Sequence, residues 1–174
     1  MLSSAKVCLL VIALVWAEVE GQRNYVNEFD HRAIFECPEN EVLSYMGSVY
    51  SSGHQDRRWE FRCRPAGSTI SDCTFTGYVN EIGQWVQYEC PSNRIVNGML
   101  SDHDNNYGDR RFMVQCCTVD NKVPRNCQYT DYINSWHQAM DYQVPAGKVI
   151  KGVTSKPCSL RRDRIWKLYL CDLN

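Results

Sequence analysis

The segment "YVNEF" at Tyr25 returns as "YVNEI" at Tyr78 and "YINSW" at Tyr132, at offsets of 53 and 54 residues. The same offsets carry "FECPEN" at Phe35 onto "YECPSN" at Tyr88 and "YQVPAG" at Tyr142. They also carry "DRRWEF" at Asp56 onto "DRRFMV" at Asp109 and "DRIWKL" at Asp163, and Val42 onto Ile95 and Val149. Landmarks in register at two constant offsets define three internal repeats, 25–77, 78–131 and 132–174. No other feature constrains the fold so strongly.

Within a repeat the periodicity is that of strands. "DRRWEFRC" places Arg57, Trp59, Phe61 and Cys63 on one phase and Asp56, Arg58, Glu60 and Arg62 on the other. "EVLSYMGSVY" and "RIVNGMLS" are short β-branched and aromatic runs bounded by Gly, Asn and Pro. "YTDYINSWHQAMDY" comes nearest to a helical pattern, but its repeat equivalents carry Gly or read as strand. The expectation is an all-β fold with three repeats of about 53 residues in a pseudo-threefold, trefoil- or prism-like arrangement. A sandwich is the alternative that periodicity leaves open.

Residues 1–21 read as a signal peptide: "MLSSAK" supplies a short basic start and "VCLLVIALVW" an apolar run too short to span a bilayer comfortably. Residues 22–174 then form a single secreted, extracellular domain. Cleavage after Gly21 takes Lys6, Glu18 and Glu20 from 19 basic and 20 acidic residues, leaving 18 of each. A balanced chain of this kind offers no bulk field for nucleic acid, and no membrane insertion is expected. Cleavage also removes Cys8, leaving nine cysteines whose density fits an oxidising compartment. Zinc is disfavoured because there is no CxxC pair and no HxxxH.

The repeat offsets suggest the cysteine pairing. Cys37 and Cys63 map onto Cys90 and Cys116, and Cys73 and Cys117 map onto Cys127 and Cys171. Adjacent strand residues point to opposite faces, so Cys116 and Cys117 need different partners. The expected bridges are 37–63 and 90–116 within repeats, and 73–117 and 127–171 between them. In the third repeat Val144 and Leu170 replace the first pair. Cys158 is left unpaired, as a buried thiol, a reactive one or an intermolecular bridge.

These residues resemble the dermatopontin family. The resemblance rests on the three D-R-x-[W/F] strands, the "YVNE" openings, the adjacent cysteines and "RRDRIWKLYLC" near the end, and it spans 25 to 171. It implies an extracellular role. Vertebrate members are tyrosine-rich matrix proteins that bind proteoglycans and cells, and invertebrate relatives include haemagglutinins, haemocyte (amebocyte) aggregation factors and shell-matrix proteins. A long tyrosine-rich stretch before the first repeat and a cysteine after Cys171 are absent from this sequence, whereas Cys158 is additional. Those differences favour the agglutinin branch.

Candidate ligand-binding residues follow from the repeat motif Asp56, Trp59, Asp109, Phe112, Asp163 and Trp166. Arg57, Arg110 and Arg164 can offer forked hydrogen bonds to sulfated or carboxylated sugars. The favoured structural alternative pairs them with Asp56, Asp109 and Asp163, the aromatic residues serving as core anchors. Lys148, Lys151, Arg161 and Arg162 make the third repeat the most basic part of the chain, either a glycosaminoglycan contact or a solvated face. "SDHDNNYGD" (101–109) loosely resembles a calcium loop, but its glycine falls one position late and Met113 stands where a bidentate Glu belongs. A polar hairpin turn is expected there, and no cofactor or metal, calcium being the one metal left open. The four histidines do not recur at equivalent positions, and no nucleophile elbow, P-loop or HExxH is present.

The expected function is non-enzymatic adhesion, agglutinating or aggregating cells by multivalent binding of surface glycans or glycosaminoglycans. The alternative is a structural matrix protein without a lectin site. A homodimer or higher oligomer, linked through Cys158, is one source of valence.

Overall fold

The computed structural model describes residues 23–173, so the expected signal peptide (1–21) lies outside the described residues. Every element is a strand. In chain order they are β1 (Ala33–Glu36), β2 (Glu41–Ser51), β3 (Asp56–Pro65), β4 (Ile70–Phe75), β5 (Val86–Glu89) and β6 (Ile95–Asp104). β7 (Asp109–Val119), β8 (Pro124–Tyr129), β9 (Met140–Gln143), β10 (Lys148–Cys158) and β11 (Asp163–Leu173) complete the chain. The described residues contain no helix.

Three long antiparallel hairpins, β2–β3, β6–β7 and β10–β11, organise three sheets. Each hairpin receives a short strand from a different third of the chain. β1 pairs with β6, β5 with β10, and β9 returns to β2, with Ser48 opposite Met140. The outer strands are covered by β4 on β7 and β8 on β11. Each first hairpin strand is bulged at one place, Ser44, Asn97 and Lys151 respectively, and a bulge bends and twists the strand that carries it.

The main core gathers the inward faces of all three hairpins. At its centre Trp59, Phe112 and Trp166 meet edge to face, with centroids 4.8 to 6.2 Å apart and interplanar angles of 83 to 86°. Such aromatic pairs add about 0.5–1.5 kcal/mol each beyond the area they bury. A second cluster, including Val42, Ile95, Val119 and Val149, lies near the hairpins' open ends.

Four disulfides are formed: 37–63, 90–116, 73–117 and 127–171. Cys116 belongs to the main core, whereas Cys117, fully buried and bridged to Cys73, is not part of it, in keeping with the alternation of strand side chains. Cys171 and Cys127 of the matching bridge lie in the second cluster. Val144 and Leu170 are both buried in the main core. Each bridge contributes about 2–4 kcal/mol by restricting the unfolded chain.

Candidate functional site

The three hairpins turn at one end of the molecule, and each second strand starts there with Asp-Arg. The three arginines are 3–4% exposed, which demands partners for their charge. Each finds one on a neighbouring hairpin. Arg57 donates through Nε and Nη2 to Asp163 at 2.7 and 2.9 Å. Arg110 donates to Asp56 at 2.6 and 2.7 Å, and Arg164 to Asp109 at 2.5 and 2.7 Å. The forks form a closed cycle in which every hairpin gives one arginine and one aspartate. Bidentate pairs of this kind are among the strongest hydrogen-bonded contacts. The strand alternation read from "DRRWEFRC" therefore breaks at its first residue, because Asp56 is buried along with Arg57: its carboxylate turns into the cycle to meet Arg110.

Two further motifs hold the cycle in place. In the first and second hairpins, Ser48 accepts from Arg57 Nη1 and Ser101 from Arg110 Nη1. Ser155 Oγ and Arg164 Nη1 are buried without a partner. The asparagine of each tyrosine motif acts as a short strand. Asn27 donates to the Arg57 carbonyl and accepts from the Trp59 amide. Asn80 treats Arg110 and Phe112 in the same way, and Asn134 treats Arg164 and Trp166 likewise. The tyrosines lie against an outward cation: Arg58 over Tyr25 and Arg111 over Tyr78, each the residue after the buried arginine, and Lys167, three residues after Arg164, over Tyr132.

Around the cycle lie three corners, each made by one loop and two neighbouring hairpin tips. The first holds Asp30, His54 and His103. The His54 ring stacks on Phe29 at 4.8 Å, with Nδ1 2.8 Å from Asp30 Oδ2. The second lies between Gly83, the β6–β7 tip and the β10–β11 tip, and is an open slot of about 310 Å³. The third holds His137 stacked on Tyr50 at 4.6 Å, with Nε2 2.8 Å from the Arg161 carbonyl. In all three a backbone N–H (Asp30, Gly83, His137) donates to the local aspartate.

Asp30, Asp56 and His103 bring one donor atom each within 4.8 Å. His103 faces Asp30 through Nδ1 at 3.4 Å and Asp56 through Nε2 at 3.8 Å. Nδ1 lies nearer still to the Asn105 side-chain oxygen, at 2.8 Å, and both Asp56 oxygens already accept from Arg110. The arrangement is an imidazole bracketed by acids rather than a socket for an ion. Sequence reasoning missed it because neither His103 nor Asp30 recurs between repeats.

The remaining candidates do not form one patch. Lys148 pairs with Asp172 at 2.6 Å, and Lys151 donates to the carbonyls of Cys90, Ser92 and Arg94. Burial lowers the Lys151 ammonium below the usual lysine value. Both lie toward the open end of the β10–β11 hairpin. Arg161 and Arg162 are at its tip, where Arg162 reaches the Asn106 carbonyl at 3.2 Å. Cys158, the free cysteine among the described residues, ends β10 beside the open slot. The segment resembling a calcium loop is the β6–β7 turn. Asp102 is drawn to Arg32 at 2.7 Å and to the Tyr78 hydroxyl, which holds its carboxyl below the usual aspartate value. Asp104 accepts from the Asn106 amide instead of pointing with it. Of the slot's lining, Asp109, Cys158, Arg162 and Asp163 were singled out in the sequence, whereas Ile82, Gly83, Tyr107 and Pro157 were not. The signal was a single difference: glycine at 83, where the equivalent positions carry Asp30 and His137.

The described residues thus form an all-β fold with four disulfides, a closed arginine–aspartate cycle and one open corner. The dermatopontin profile matches residues 25–174, and the chain belongs to the dermatopontin family. It is 37% identical over 147 residues to a dermatopontin of Biomphalaria glabrata, covering 84% of this chain and 99% of that one. It is 34% identical over 167 residues to the hemagglutinin/amebocyte aggregation factor of Limulus polyphemus, covering 94% and 95%. Millepora cytotoxin-1 of Millepora dichotoma is 32% identical over 149 residues, covering 86% and 67%. No solved structure matches the chain.

Proposed function

We propose that this protein is a secreted, non-enzymatic adhesion protein that agglutinates or aggregates cells by multivalent binding of surface glycans or glycosaminoglycans. The observation that carries the reading is the end-to-end similarity to the Limulus hemagglutinin/amebocyte aggregation factor. The disulfide set supports secretion, since such bridges persist in oxidising compartments, and residues 1–21 act as the signal peptide. The three repeats are quasi-equivalent about a threefold axis; the cyclic order of strand pairing and of the arginine forks supports this arrangement. Agglutination needs valence, either from several sites on one chain or from association of chains.

The test is agglutination of red cells by the purified, oxidised protein, with soluble glycans and heparin as competitors and released haemoglobin followed alongside. Clumping blocked by a soluble glycan is expected. No clumping by folded protein, or lysis in its place, overturns the reading. The similarity to Biomphalaria dermatopontin favours a second reading, a structural matrix protein that binds collagen or proteoglycan core protein. That role would give retention on matrix protein that no sugar displaces.

A further inference from the structure

The three corners around the arginine–aspartate cycle differ in one respect. Two are filled by the chain's own rings. In the first, the His103 side chain is 1% exposed and His54 stacks on Phe29. In the third, His137 lies on Tyr50. At the second corner the repeat offsets place Gly83 where these carry Asp30 and His137, and Pro157 where they carry His103 and Tyr50. A Cβ at Gly83 would meet nothing within 4 Å. Tyr107, which stands where His54 stands, is 60% exposed and appears in no aromatic pair among the described residues. The aspartate beneath shows the same contrast: the Asp109 side chain is 12% exposed, against 1% for Asp56 and Asp163. The slot of about 310 Å³ is thus the space that an imidazole and its neighbours occupy at the other corners.

We propose that this slot is a binding site for one neutral pyranose residue at the end of a glycan chain, one site per protein chain. Its size lies at the small end of ligand pockets. Tyr107, Ile82 and Pro157 give it apolar walls, against which the C–H face of a sugar ring packs. Asp109 Oδ2 already accepts from Arg164 Nη2 and from the Gly83 amide, whereas Oδ1 accepts only from Arg164 Nε. One fixed lone pair is left for a hydroxyl donor. Arg162 lines the same slot and spends one nitrogen on the Asn106 carbonyl, leaving N–H groups for a neighbouring hydroxyl acceptor. Vicinal hydroxyls satisfy both. The aspartates at the slot are each matched by an arginine, and Arg162 is the slot's one cation without a carboxylate partner. The open Asp109 oxygen in the same space calls for a hydroxyl donor, which sulfate and carboxylate lack. With one open corner in three, valence comes from association of chains rather than from three sites on one.

This inference rests on the glycan reading above, and its test separates the two. Methyl glycosides of galactose, mannose, N-acetylglucosamine and N-acetylgalactosamine are titrated into the full oxidised protein by saturation-transfer NMR, with heparin as the charged probe. Gly83→His copies the residue at 137, whose φ of 61° is close to the 74° at Gly83, and fills the slot. Tyr107→Ala removes one wall at an exposed position. Carboxamidomethylation of Cys158, which also lines the slot, fills it without a substitution. Binding of at least one glycoside, weakened tenfold or more by each change in a protein that still melts cooperatively, is the expected result. Gly83→His alone should lower the midpoint slightly, because φ there is 74°. Glycoside binding that survives all three changes overturns the slot, as does binding of heparin alone, and both leave the glycan reading standing. No binding to any of these probes, together with no glycan-blocked agglutination, overturns both.

Discussion

Asp56, Asp109 and Asp163 each take an arginine fork from a neighbouring hairpin and a backbone N–H from the loop beside them. Removing an arginine leaves a buried carboxylate without its counter-charge, which costs about 3–5 kcal/mol. Arg110→Leu is therefore expected to lower the stability of the oxidised protein by that amount in urea unfolding. Arg110→Lys should recover only part of it, because an ammonium cannot reproduce the fork. Asp102 gives a pH effect of known sign. Its folded carboxyl titrates below the ordinary value, first because Arg32 donates to it and then because the Tyr78 hydroxyl does. The stabilisation is present above the unfolded pKa of about 4 and is lost as pH falls through the lower folded value. The difference in melting temperature between wild type and Asp102→Asn should be constant from pH 5 to 7 and shrink below about pH 4. A difference independent of pH down to 2.5 would contradict this. The repeated Asp-Arg pairs were legible in the sequence as structural or ligand-binding. Which aspartate each arginine meets was not, because a repeat offset does not distinguish a contact within a copy from one between copies.

At the scale of elements, "Y-[VI]-N" is a docking clip. The residue after the tyrosine donates its amide to the carbonyl of Trp59, Phe112 or Trp166, and the asparagine supplies a donor and an acceptor beside it. Asn80→Ala leaves the Phe112 amide and the Arg110 carbonyl without those partners, at a cost of about 1–3 kcal/mol; urea unfolding with unchanged m-value would show it. The last third of the chain lacks a bridge matching 37–63 and 90–116, and Val144 and Leu170 at the corresponding offsets are buried in the core. The double substitution Val144→Cys, Leu170→Cys is expected to close a fifth bridge, seen as no free thiol beyond Cys158. It should raise stability by about 2–4 kcal/mol, and two extra titratable thiols in the folded protein would count against it. The long hairpin strands were legible because alternation and turn residues mark them. The four-residue strands β1, β5 and β9 leave almost no periodic signal, and their pairing with another third of the chain is non-local.

At the scale of the whole molecule, β9 and the Arg57–Asp163 fork tie the last third to the first, across 106 residues in the case of the fork. A chain ending at residue 131 would leave β2 with an unpaired edge and Arg57 buried without its carboxylate. Such a truncation is expected to show no cooperative melt in near-ultraviolet circular dichroism. A sharp transition from it would mean that two thirds fold alone. Many long-range contacts also make for slow folding.

The contacts between successive thirds run head to tail, the kind of interface that in separate subunits generates a ring with a heterologous joint. Three identical subunits would have to keep three identical corners, since one gene would write all of them. A single chain escapes that requirement. Within one chain, positions 30, 83 and 137 can each carry a different residue, and they do: aspartate, glycine and histidine.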